Sequence, residues 1–243
     1  MRSGVAREIA LVYAFACSVT LLVSHVRAAW ARDYGHLVLA SAFLGAALWL
    51  SRRDGRTARH YGIDLAGLLE ASADEPDHPA HGLWYAVRRA LPRALTELAF
   101  ALCVAAIVFP LFVLGFRVFH DVTRPFTLQP PAAIADFVLG QLVVIALPEE
   151  ALFRGYFQTR LEDVFPARTR LLGATLSPAA LACQALLFAL LHFLVGFSPA
   201  RLAVFFPGLL FGWIRARRGG IGAAVWFHAM CNLLAELLTR GYL

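Results

Sequence analysis

An all-α polytopic membrane bundle, about seven transmembrane helices around a polar cavity, is the fold class this sequence predicts. Three observations predict it. Sixty per cent of the residues are hydrophobic and the mean hydropathy is +0.66, far outside the range of soluble domains. The apolar residues come in long blocks, which a soluble core in a chain of 243 residues would not need. Charges inside those blocks are few and clustered, as expected where an ionisable group at membrane depth is costly and marks function.

Seven blocks qualify as spans: residues 8–26, 36–50, 95–117, 132–153, 179–197, 202–214 and 221–239. A helix rises about 1.5 Å per residue, so a crossing takes about 20 apolar residues. The second and sixth blocks fall short and are expected to be re-entrant or packed inside the bundle. Arg2 and Arg7 precede the first block and Ala28-Ala29-Trp30-Ala31 follows it, a layout shared with signal peptides. Its apolar core is longer than an h-region and six blocks follow, so it reads as a retained span. Residues 51–94 form the longest polar interruption, with arginine-rich ends and an acidic middle (Glu70, Asp74, Glu75, Asp77). Within it Leu83, Trp84, Val87, Leu91 and Leu95 recur near helical spacing, with Arg88, Arg89 and Arg93 on other faces. That pattern suits either an amphipathic helix at the inner interface or a solvated lead-in to the third span. A short loop, 120–131, ends in Pro130-Pro131. Residues 1–94 therefore read as a two-helix membrane segment with a polar cytoplasmic loop, and 95–243 as a second membrane domain.

Every basic residue is arginine, 22 in all. With the N-terminus inside, cytoplasmic segments hold Arg2, Arg7, Arg52, Arg53, Arg56, Arg59, Arg88, Arg89, Arg93, Arg160, Arg168, Arg170, Arg215, Arg217 and Arg218. The other side holds six: Arg27, Arg32, Arg117, Arg124, Arg201 and Arg240. Fifteen against six, with Arg154 set aside, predicts N-inside. The formal charge of +6 is thus a topology and headgroup signal, and needs no nucleic acid to explain it. Cys17, Cys103, Cys183 and Cys231 all fall within spans and form no CxxC pair, so neither a disulfide framework nor a thiolate zinc site is expected.

The polar clusters carry the chemistry. At the end of the fourth span stands Pro148-Glu149-Glu150-Ala151-Leu152-Phe153-Arg154. Pro148 lacks an N–H and disfavours helix before it, which predicts a kink or restart there. Glu150 and Arg154 are four apart, the spacing at which carboxylate and guanidinium meet on one helix face. Glu149 is rotated by about 100° and can face elsewhere. The division expected is a structural ion pair of Glu150 and Arg154, with Glu149 free as general base. The alternative is an interfacial charge cluster at a helix end. His192 sits in an apolar run where a hydrogen-bonded core role is the ordinary one. His228 and Asn232 share a face of the last span, suited to proton transfer or metal binding and to an oxyanion donor, or else to interhelical hydrogen bonding.

The runs EEALFRGYFQTRLE (149–162), ALLFALLHF (185–193), FPGLLFGW (206–213) and HAMCNLLAEL (228–237) resemble the CPBP family. Its members are CAAX-prenyl endopeptidases and bacteriocin-processing or immunity-type membrane proteins, also called the ABI family. Its motifs EExxxR, FxxxH and HxxxN stand here as Glu149-Glu150-Arg154, Phe188-His192 and His228-Asn232. The match spans about 130–240, in order and without substitution at a motif position. It implies a catalytic membrane domain within 95–243, and an intramembrane endopeptidase acting near a substrate's C-terminus or membrane anchor. The substrate implied is a membrane or lipid-anchored protein, met in the bilayer. By resemblance Glu149 activates water, with His192, His228 and Asn232 at the other site positions. The mechanism is glutamic, or metallo with Zn2+ on Glu149, His192 and His228; Asn232 suits an oxyanion donor better than a zinc ligand.

No HExxH, GxSxG or GxGD sequence supports another intramembrane protease class. Two further readings differ in kind: a non-catalytic membrane scaffold or immunity protein, and a proton-coupled transporter using Glu149, His192 and His228 as a relay. The absence of inverted repeats weighs against the transporter. A lysine-free, arginine-rich chain also reads as bacterial, placing it in an inner (plasma) membrane, where some family members act as sorting proteases that remove a C-terminal helix.

Overall fold

Each apolar block becomes a helix, and the computed structural model describes residues 2–53, 55–63 and 83–243. Among these residues there are seven helices: α1 (Arg2–His25), α2 (Ala29–Arg53), α3 (Leu83–Phe119), α4 (residues 134–164), α5 (Pro178–Leu194), α6 (Phe205–Arg218) and α7 (Gly222–Tyr242). A short antiparallel hairpin, β1 (Thr169–Leu171) and β2 (Ala174–Leu176), joins α4 to α5. Nothing in the sequence pattern signalled this hairpin, since three residues per strand are too few for an alternation to register. Four helices are long and apolar enough to cross a membrane: Ser3–His25, Ala29–Arg53, Ala90–Phe119 and Gly222–Tyr242. The protein is a polytopic membrane helical protein.

Successive helices alternate in direction. On one face Glu8 of α1 meets Arg160 of α4 at 3.0 Å, and Glu97 near the start of α3 holds Arg218 at the end of α6 by two bonds of 2.8 and 3.0 Å. Ile221 N–H, just before α7, donates to the Gly62 carbonyl on that same face. On the other, His25 donates to the Leu194 carbonyl at the end of α5, and Thr127 N–H donates to Gly241 O at the end of α7. Arg52, Arg53, Arg160, Arg215, Arg217 and Arg218 accordingly belong to one face.

Two expectations change and one is decided between its alternatives. The second span is not short: α2 has 25 residues, because the helix starts at Ala29 and continues through the polar Arg32, Asp33 and His36. The stretch from Leu83 is not a separate surface helix but the lead-in to the third span, since α3 runs unbroken for 37 residues through Pro92 and Pro110 with Leu91 and Leu95 exposed. The acidic residues Glu70, Asp74, Glu75 and Asp77 lie outside the described residues. Lastly, Pro148 does not restart α4, which continues past it as helix. Three α-helical stretches (Ile134–Gly140, Leu147–Glu150, Gln158–Val164) alternate with two π-helical ones (Gln141–Ala146, Ala151–Phe157), all right-handed at their junctions. A widened turn before the proline relieves the clash of its ring with the carbonyl four residues back, so the chain continues. Glu149 therefore lies in the middle of α4 rather than at its end.

The short α6 approaches its neighbours closely. A Cβ on Gly212 would stand 2.5 Å from Leu181 Cδ1 and 2.6 Å from Gln184 Nε2, so a side chain there would displace both. That approach lets Gln158 Nε2 donate to Gly212 O (3.1 Å) and Gln184 Nε2 to Gly208 O (2.9 Å), satisfying carbonyls inside the bundle. The segment after α2 closes the arginine-rich face: Tyr61 and Ile63 are fully buried, and Tyr61 stacks on Tyr156 of α4.

Candidate active site

The two adjacent glutamates of α4 point to different surroundings, as their offset on the helix requires. Glu150 and Arg154 are both fully buried, and Arg154 Nη1 donates to Glu150 Oε1 at 2.9 Å. The guanidinium lies 4.2 Å from the Phe188 ring centroid and 4.8 Å from that of Phe211, and Nη2 reaches the Gly208 carbonyl at 3.4 Å. A cation flanked by two aromatic rings away from water gains about 2 kcal/mol from their quadrupoles. Phe188 also packs against His192, ring centroids 4.3 Å apart, so the phenylalanine four residues before the histidine cushions both the arginine and the imidazole.

Glu150 has a second partner that the ion-pair assignment left out. His228 Nδ1 lies 2.8 Å from the same Oε1 and donates to it. That bond leaves the His228 Nε2 lone pair on the far side of the ring, 3.8 Å from Glu149 Oε2. His192 is arranged alike: Nδ1 donates to the Phe188 carbonyl at 3.0 Å, and Nε2 stands 4.0 Å from the same Glu149 Oε2. No protein donor reaches that oxygen, although it is buried. Nε2 of both imidazoles thus stands within 4.0 Å of one carboxylate oxygen, each ring oriented from behind by its other nitrogen.

Asn232 belongs to a neighbouring pair. Its Nδ2 donates at 2.7 Å to Oε1 of Gln141, on the first π-helical stretch of α4, so its partner is not His228. Sequence reasoning passed over Gln141; a polar side chain near the start of an apolar span was the available signal. His192, His228 and Asn232 line a cavity of about 570 Å3 together with Phe109, Phe112, Leu210 and Phe211 from α3 and α6. Glu149 is not among its lining residues and meets the cavity only through His192 and His228. Cys231 also lines this cavity and all four cysteines are free.

Zinc is tested by spacing. Bonds of about 2.0–2.1 Å in a tetrahedral site set ligand atoms about 3.3 Å apart. The 3.8 and 4.0 Å separations are wider, and no group of three or more His, Cys, Asp or Glu among the described residues has metal-holding geometry. As placed, Glu149, His192 and His228 do not fit zinc. They do fit a water molecule, which can donate to one of these acceptors while its oxygen stays free to attack.

Comparison with known proteins finds a similarity over part of the chain. Residues 130–234 match the model described as Type II CAAX prenyl endopeptidase Rce1-like. No curated protein and no solved structure matches the chain.

Proposed function

Taking as premise that residues 130–234 form a domain of the Rce1-like CAAX prenyl endopeptidase family, whose members are intramembrane proteases, we propose that this chain hydrolyses a peptide bond near the C-terminus or membrane anchor of a protein substrate. The observation that carries this reading is the convergence of His192 Nε2 and His228 Nε2 on Glu149 Oε2. A water held there gives its proton to Glu149 as its oxygen bonds to the scissile carbonyl carbon. The carbonyl π electrons move to oxygen, and the second N–H of the Asn232 amide, the one not given to Gln141, stabilises the oxyanion. Collapse breaks the C–N bond, and the proton on Glu149 passes to the leaving amine. Glu150 and Arg154 hold His228 in the tautomer that presents Nε2. The mainly apolar cavity between α3 and α6 receives the substrate from the bilayer, which suits a lipid-anchored or membrane-helical segment.

In this reading helices of residues 1–94 support a catalytic unit in 95–243. The N-terminus faces the cytoplasm of a bacterial plasma membrane, because the arginine-rich face should be the inner one. Substituting Glu149→Gln keeps the shape and removes the base. Cleavage of a reporter bearing a C-terminal processing signal should fall by about 10²–10⁴, with folded protein near wild type. Undiminished cleavage would discard the mechanism; uptake of protons or solute by wild-type proteoliposomes that show no proteolysis would favour the transporter.

A further inference from the structure

The hairpin takes no part in this site, and its turn departs from what water favours. Its central residues Leu172 and Gly173 both have positive φ, 46° and 79°. Asparagine, aspartate and glycine are the residues such a turn prefers, and a leucine there carries backbone strain. Leu172 is also 79 % exposed and Leu171 beside it 46 %. A lone exposed leucine is ordinary; two adjacent ones at a tip, one on strained backbone, call for a function.

Basic side chains frame the tip. Arg168 bridges to Glu162 at 3.3 Å and stays half exposed. Arg170 and Arg217 are exposed, and no described carboxylate pairs with either. Arg217 lies along the turn, its Nε 3.0 Å from where a Cβ on Gly173 would stand. The hairpin leans on the flank of α6: Trp213 Nε1 donates to Leu171 O at 3.1 Å, while Ala174 and Leu176 pack with Leu181, Leu209 and Ala216. It therefore sits beside the last turns of α6, at a level marked by tryptophan and arginine, as headgroup regions are.

We propose that this hairpin is an interfacial anchor in the leaflet on the arginine-rich face. Leu171 and Leu172 enter the acyl boundary, while Arg170 and Arg217, with Arg168 beside them, bind anionic phospholipid headgroups. Immersion removes the leucines from water, and charge complementarity selects the lipid. The anchor ties the loop between α4 and α5 to the bilayer, at the ends of the two helices that carry Glu149 and His192.

A spin label on Leu172→Cys tests it in the full chain, in nanodiscs of phosphatidylcholine with or without phosphatidylglycerol; the unsubstituted chain, labelled in parallel, subtracts the four native cysteines. The label should collide more with oxygen than with a water-soluble nickel chelate when phosphatidylglycerol is present, and less so without it. Adding Arg170→Gln and Arg217→Gln should shift the inserted-to-lifted ratio about fivefold per arginine towards water. A label that favours the nickel chelate in both lipids would overturn the anchor. Equal insertion in both lipids would overturn the headgroup assignment.

Discussion

Glu149 and Glu150 are neighbours in the chain yet belong to two regions with opposite character. Around Glu150 a guanidinium, an imidazole N–H and two aromatic rings close on one fully buried carboxylate. Around Glu149 two imidazoles bring Nε2 within 4.0 Å of Oε2, and no hydrogen-bond donor reaches that buried oxygen. Glu150 is compensated through Oε1, its Oε2 being buried without a partner, whereas the buried Oε2 of Glu149 faces only the two imidazoles. His228 joins them, since Nδ1 serves the first and Nε2 the second. An adjacent charge cluster thus fixes the orientation of an imidazole that also faces Glu149.

The comparison breaks most sharply at Arg154. Arg154→Ala leaves Glu150 buried without its cation, and removing one partner of such a pair costs about 3–5 kcal/mol. Folded protein in membranes should fall steeply, read by size-exclusion of detergent extracts, whereas Glu149→Gln should leave it near wild type. Equal losses in the two variants would erase the distinction between the regions.

Asn232 sharpens the reactive side. Asn232→Ala should lower the cleavage rate by about 10²–10³ with little change in substrate binding, as loss of an oxyanion donor does. Asn232→Asp should be slower still, because a carboxylate repels the developing charge. Bound metal is measured on both preparations. An Asp variant that is more active and carries a full metal complement would reverse the spacing argument and assign a metalloprotease.

A third test works at the seam where the segment after α2 meets α4. A Cβ on Gly155, next to Arg154, would stand 2.6 Å from Ile63 Cγ1. Gly155→Ala overpacks this contact and should destabilise by about 1–3 kcal/mol, lowering the unfolding midpoint in detergent. Relief by Ile63→Ala, which removes Cγ1 and Cδ1, in the double variant would tie the loss to that contact; an unchanged midpoint in Gly155→Ala would show that the segment yields freely. The smallest effect is expected at Gln141. Gln141→Ala removes one amide hydrogen bond, net about 0.5–1.5 kcal/mol, so cleavage should drop about tenfold or less while Asn232 stays in place.

Much of this was legible before the fold. Glu150 and Arg154 meet because a separation of four residues brings side chains together on any helix, whatever surrounds it. The sides on which arginines collect, the long apolar helices and the approach of His192 and His228 to Glu149 follow from composition and motif order. Rotation of one helix against another is not written in local spacing. That Glu150, not Asn232, is the partner of His228, and that Gln141 is the partner of Asn232, depends on how α4 and α7 turn towards each other. The π-helical stretches decide it, since each widened turn shifts the angle at which later side chains leave the axis. Pro148 announced an irregularity, but local rules allow a kink, a restart or a widened turn, and neighbouring helices select among them. The segment at Tyr61 and Ile63 and the hairpin tip were equally silent. Residues of such short segments take their meaning from what they touch, and only the folded bundle supplies those contacts.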